Sequence, residues 1–257
     1  MKTIPLFALL ILLAGCGPDI RTRSVEYRIG DTVFEGYMAW DASRAGVRPG
    51  VLVVHEWYGL NDYARMRARQ LAELGYVALA ADMYGGGKVA ADRNEASRLA
   101  SALRDDRGQM RRRARAALAA LRVDKKVDAE RLAAIGYCFG GGVVLELARS
   151  GADVDAVASF HGNLDTPDAS DAGNIRGTVL VQTGAADPHV PDEQVAAFEK
   201  EMTDADVDWY LIVYGNAVHS FTNPGAGDNP STGSAYNEKA ARRSWAAMRD
   251  LFDEVLR

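Results

Sequence analysis

Short apolar runs that alternate with helix-length amphipathic segments limit this chain to few architectures. Val51-Leu52-Val53-Val54 follows the polar loop 41–50 without a polar break, the pattern of a strand covered on both faces of a parallel sheet. Asn61 can cap a helix over 61–74, Gly75 ends it, and 76–81 is the next strand. The same alternation predicts helices over 92–103, 109–121, 139–149, 192–202 and 236–256. It predicts further strands over 131–136, 154–160, 178–183 and 207–214. Upstream, 24–28 and 32–40 alternate around Gly30-Asp31, a hairpin signal. The expected fold is α/β: a mostly parallel, doubly wound sheet with helices on both faces and an N-terminal antiparallel hairpin.

Residues 1–15 break this pattern. Lys2 gives a positive start, 4–14 is apolar, and Leu13-Ala14-Gly15 offers a small-residue cleavage site, so the segment reads as a signal peptide. It is too short to remain as a membrane span. Leu13-Ala14-Gly15-Cys16 resembles the lipobox of bacterial lipoproteins. That resemblance implies that Cys16 is acylated and anchors the protein to a membrane, each buried methylene contributing about 0.8 kcal/mol. Residues 16–23 then form a lipidated N-terminus and linker, and 24–257 a single domain. Gly17 stands where lipoprotein sorting would place an aspartate for retention at the inner membrane, which points to the outer membrane of a bacterial envelope, facing the periplasm. The sequence does not fix the oligomeric state, and a monomer is the simpler expectation.

Thirty Lys and Arg against 35 Asp and Glu give a net charge of −5. That balance argues against nucleic acid as a partner, because phosphate binding needs a basic surface. The arginine-rich stretch 104–122 carries Met110, Ala114, Ala117, Leu118 and Leu121 at helical spacing, and reads as the solvated face of a helix.

The chain has two cysteines. With Cys16 assigned to the anchor, Cys138 is an unpaired thiol in an exported protein, which calls for a chemical reason. Gly136-Tyr137-Cys138-Phe139-Gly140 lies between a predicted strand and a predicted helix. It has the form of the nucleophile elbow of α/β-hydrolases, with cysteine in the serine position. A thiol there also meets the helix N-terminus, which favours its ionised form. In this fold the chain order is nucleophile, acid, histidine. Asp187 and His219 each follow the end of a predicted strand, where an open parallel sheet builds its site. His161 and His189 compete for the base role, but His189 is only two residues beyond Asp187 and reads as a pocket or turn residue. The loop His55-Glu56-Trp57-Tyr58-Gly59 follows the strand 51–54 and supplies the second oxyanion-hole donor in this fold. The expected donors are the backbone amides of Trp57 and Phe139.

His55-Glu56-Trp57-Tyr58-Gly59, Gly136-Tyr137-Cys138-Phe139-Gly140-Gly141, Asp187 and His219-Ser220-Phe221 together resemble the dienelactone hydrolases in motif, order and spacing over about residues 24–257. The resemblance implies an α/β-hydrolase fold and cleavage of a small ester or lactone through Cys138, His219 and Asp187, with a covalent acyl-enzyme. No metal or organic cofactor is needed for this. It also implies that Glu56 is catalytic, since the equivalent glutamate of that family takes the cysteine's proton when substrate binds. The alternative for Glu56 is a structural ion pair with a nearby arginine. Tyr58, Tyr84, Arg93, Phe221 and Asn223 are the candidate substrate contacts. Asn223 stands where the best-known members carry an arginine that grips the substrate carboxylate, which argues against dienelactone itself. A different class of function remains open: a non-catalytic lipoprotein that presents the pocket, or the loop 223–236, to a ligand or partner. A thiol redox device is disfavoured because no resolving cysteine accompanies Cys138.

Overall fold

The computed structural model describes residues 17–257; the predicted signal peptide and Cys16 lie outside the described residues. Eight strands form one sheet: β1 (Ile20–Ile29), β2 (Thr32–Asp41), β3 (Arg48–Val54), β4 (Val77–Ala81), β5 (Val127–Tyr137), β6 (Ala156–Phe160), β7 (Thr178–Gly184) and β8 (Trp209–Tyr214). Their order is β1-β2-β4-β3-β5-β6-β7-β8. The β1–β2 and β2–β4 pairings are antiparallel, and every pairing from β4 to β8 is parallel. Among the described residues six α-helices cover the faces: α1 (Asp62–Glu73), α2 (Arg93–Asp105), α3 (Arg107–Arg122), α4 (Phe139–Arg149), α5 (Asp192–Asp204) and α6 (Glu238–Val255).

Alternation inside the apolar strands sorts residues between two cores. Val77, Leu79 and Ala81 of β4 join the layer with Leu103, Met110, Leu118, Val144 and Phe198, from α2 to α5. Ala78 and Ala80 join the opposite layer with Ala64, Leu71, Met248 and Phe252, from α1 and α6. The period of two survives even where the sequence shows an unbroken apolar run, because both faces are covered.

Each predicted element is present, with ends displaced by up to four residues. Residues 20–23, expected as linker, are the start of β1, with Ile20 opposite Asp41 and Arg23 opposite Met38. Arg21, Thr22 and Arg23 are all exposed, so no alternation betrays the strand; backbone pairing and the ion pairs Arg21–Asp19 and Arg23–Asp124 hold it. β5 likewise begins at Val127 through the polar Asp128-Ala129-Glu130, with a register break opposite Pro49 and Gly50.

The arginine stretch is not a solvated face throughout. Arg111 reaches Glu146 at 2.7 Å and Asp171 at 2.6 Å, and Arg113 donates to the Met83 carbonyl at 2.7 Å. The long side chain lets a guanidinium leave the exposed flank of a helix and lie against its neighbour.

Candidate active site

The strand order changes direction between β3 and β5, so the loops after these two strands are neighbours at the carboxyl edge of the sheet, where open α/β sheets bind ligands. The β3 loop carries His55 to Gly59, and the turn after β5 carries Cys138. β7 ends just before Asp187, and β8 before His219.

The elbow forms because two glycines permit a contact that no Cβ allows. A Cβ on Gly136 would lie 1.9 Å from the Gly140 carbonyl oxygen, and one on Gly140 would lie 2.3 Å from the Val54 carbonyl oxygen. Cys138 takes φ +54°, ψ −116°, a conformation that costs on the order of 1–3 kcal/mol for a residue with a Cβ. The side chain is 8% exposed at the floor of a cavity of about 340 Å³. Phe139 is the first residue of α4, so its N–H has no intrahelical acceptor and is free to serve as a donor.

His219 Nδ1 lies 2.8 Å from Asp187 Oδ2, and Asp187 is buried behind it. The imidazole shares the cavity with Cys138. Burial opposes a positive charge on His219, but the charges of Cys138 and Asp187 outweigh it and raise the group to about 10. The three residues expected to act together are thus gathered at one rim.

His189 also lines this cavity, edge-on to His219 with ring centroids 4.9 Å apart. Its backbone N–H donates to Asp187 Oδ1 at 2.8 Å, which fixes the turn that presents the carboxylate. His161, the other competitor, is fully buried. Its Nδ1 accepts the Cys138 amide at 3.1 Å, and Nε2 meets Thr222 Oγ1 at 2.7 Å. Burial and the positive charges of His219 and Arg67 push it well below the usual imidazole value, so it is a neutral prop under the elbow.

Glu56 is 6% exposed and does not hydrogen-bond Cys138. Oε2 accepts from Asn223 Nδ2 at 2.6 Å, and Oε1 from Ser220 Oγ at 3.4 Å. Burial raises its carboxyl above the usual range. Among the described residues it makes no ion pair with an arginine, and Arg67 acts on its charge only from a distance.

Of the expected substrate contacts, Arg93 lines the cavity with its guanidinium 5.8 Å from the Trp57 ring centre. Tyr58 packs edge-on against Trp57 and borders a second, adjoining cavity. Two others are corrected. Phe221 is 0% exposed and packs on His161 and Tyr214, because the chain turns inward after Ser220. Tyr84 donates its hydroxyl to the Trp57 carbonyl at 2.7 Å, so it fixes the expected oxyanion loop from behind. Asn223 is engaged with Glu56. Sequence reasoning missed Arg104 and Asn163, which bond each other at 3.1 Å on the cavity wall. Arg104 lies at the end of α2, where its spacing from the apolar stripe was the only signal.

A strand–turn–helix elbow after β5 and an Asp–His pair past the ends of β7 and β8, on a mostly parallel sheet, define the class: the α/β-hydrolase fold. The family follows from comparison. The model of the dienelactone hydrolase family matches residues 34–256. A crystal structure titled as a dienelactone hydrolase-like promiscuous phosphotriesterase from metagenomic libraries is 47% identical, with a TM-score of 0.89, over 93% of this chain and 99% of that one. A "Putative carboxymethylenebutenolidase" of Synechocystis sp. is 27% identical over 93% of this chain and 99% of its own length. The chain belongs to the dienelactone hydrolase family, and it is a hydrolase.

Proposed function

We propose that the protein hydrolyses a small carboxylic ester or lactone through Cys138, His219 and Asp187. The Cys138 sulfur attacks the carbonyl carbon, and the amides of Trp57 and Phe139 receive the developing oxyanion. Collapse breaks the bond to the leaving oxygen, which takes the proton from His219 Nε2 and departs as an alcohol. Water then loses a proton to the same nitrogen and attacks the thioester, releasing the acid and returning the thiolate to its imidazolium partner. Asp187 holds the Nδ1 proton throughout and so keeps the tautomer correct. Glu56 stands beside this path as a buried acceptor in contact with Asn223 and Ser220.

The observation that carries the reading is the 2.8 Å Asp187–His219 bond beside a cysteine in one cavity. That cavity has Arg93 and Arg104 and no acidic residue in its lining, which suits an acyl group bearing negative charge. Cys138→Ala tested on p-nitrophenyl acetate is expected to lose nearly all activity. Wild-type rates in that variant would end the proposal.

We further infer, from the tetrad ending at Cys16, that the mature protein is membrane-anchored by acyl chains. Metabolic labelling with palmitate should mark the wild type and not Cys16→Ser; equal labelling would refute it.

A further inference from the structure

Cys138 and Glu56 open into different cavities. The first, described above, holds Cys138 and His219. The second, about 590 Å³, has Glu56 on its wall and shares with the first only Trp57, Arg93, Ser220 and Ser234.

The second cavity is a polar chamber with one aromatic wall. Trp57 meets Tyr58 edge-on, centroids 5.4 Å apart, and Glu56, Asn61, Tyr63, Asn223 and Thr232 also line the space. Glu56 has two hydrogen-bond donors from the protein. A carboxylate offers about four acceptor positions, so it can receive further donors from a ligand. An anion would face that buried carboxyl group, and a cation would face Arg93 at the rim. An apolar group would strip water from several polar side chains without replacing it. A neutral group with several hydroxyls meets each condition, with its C–H face on Trp57.

Position decides which half of the substrate enters. If His219 protonates the leaving oxygen, that oxygen lies beside the imidazole. Ser220 follows His219 directly, and Ser234 is its bridge partner. Both belong to the partition between the cavities, whereas Arg104 and Asn163 lie only on the first. The leaving oxygen therefore lies toward the second cavity and the acyl group toward Arg104.

We propose that the second cavity is a leaving-group subsite for a neutral, polyhydroxylated alcohol, so that the preferred substrates are esters of glycerol-like or sugar-like polyols. This rests on the Cys138–His219 reading above, and the test separates the two. Purified enzyme is assayed on glyceryl monobutyrate and ethyl butyrate, which give the same acyl-enzyme. The expected kcat/KM ratio is at least tenfold in favour of the glyceryl ester, about 1.4 kcal/mol, within reach of one or two hydrogen bonds. Ala226→Phe, which places a ring in the second cavity, should bring the ratio near one. A wild-type ratio near one overturns the proposal whatever the variant does, and so does a ratio that survives Ala226→Phe. Cleavage of both esters by Cys138→Ala at wild-type rates would instead remove the mechanism on which it rests.

Discussion

Replacing Asp187 by Asn keeps the shape of the site and removes one charge that His219 meets. Nδ1 and Oδ2 are 2.8 Å apart, and a hydrogen bond involving a charged group contributes about 1.5–3 kcal/mol. At about 1.36 kcal/mol per pH unit, His219 in the variant should release its proton about one to two pH units lower. In the wild type His219 is raised from 6.5 to about 10, since the charges of Cys138 and Asp187 outweigh burial. The active thiolate–imidazolium form should therefore fail as pH rises through about 10. The assay is kcat/KM for p-nitrophenyl acetate between pH 5 and 11, within the range of about a unit on either side of each limb. Asp187→Asn should bring the alkaline limb down and lower the plateau by on the order of a hundredfold or more, because the tautomer is no longer enforced. Stability must change with the same sign. A raised group stabilises fully below its unfolded value of 6.5 and loses that contribution as pH rises through about 10, so the variant should be most weakened at pH 6 and least above 10. An alkaline limb that stays in place or moves upward would refute the pairing.

Three further outcomes follow from contacts described here. Gly136→Ala should fail to fold or lose more than about 4 kcal/mol in urea unfolding, since its Cβ would stand 1.9 Å from the Gly140 oxygen; a loss under about 1 kcal/mol would mean that the elbow relaxes freely. Arg149 is fully buried and binds Glu201 twice at 2.7 Å and Glu146 at 3.1 Å; Glu146 keeps Arg111, so Arg149→Met should cost about 3–5 kcal/mol by stranding the Glu201 carboxylate. Unfolding within 1 kcal/mol of wild type would deny that role. Arg104→Ala should raise KM for a hemisuccinate aryl ester several-fold more than for the acetate, and an equal change in both would argue against a charge-reading role for Arg104.

The order of elements, the elbow and the Asp–His pair were legible because each is a local pattern: period-two strands, a Gly-x-Cys-x-Gly turn, and polar residues just past strand ends. What the sequence hid depends on distance in the fold. Arg104 and Asn163 are 59 positions apart and meet only because the end of α2 folds over the loop after β6. Phe221 beside the histidine looked like a pocket residue, yet φ +56° at Ser220 turns it into the core. Asn223 looked like a lost arginine, and its partner is Glu56, 167 positions away. Nothing local in 20–23 reveals a strand that its exposed side chains do not need.

The hydrogen bonds behind Cys138 also bear on the base role in the proposed mechanism, because they occupy His161. The Cys138 N–H is shared between the Phe160 carbonyl at 3.0 Å and His161 Nδ1 at 3.1 Å, so Nδ1 is an acceptor and the imidazole proton sits on Nε2, facing Thr222 Oγ1. Thr222 Oγ1 is also hydrogen-bonded to Tyr63 Oη at 2.7 Å, and Tyr63 Oη accepts from Arg67 Nε at 3.2 Å. Arg67 Nη2 closes the cluster on the Thr222 carbonyl at 2.8 Å. With both ring nitrogens committed, His161 has no lone pair for the sulfur. His219 holds Asp187 through Nδ1 and lines the Cys138 cavity, so of these two histidines it is the one that suits the base role in the proposed mechanism. Left-handed φ values at Cys138, His161 and Ser220, +54°, +42° and +56°, fall on the three residues this cluster and the Glu56 contact hold in place. The strain persists because neighbours over-determine it, and it aims the thiol and imidazole at one cavity.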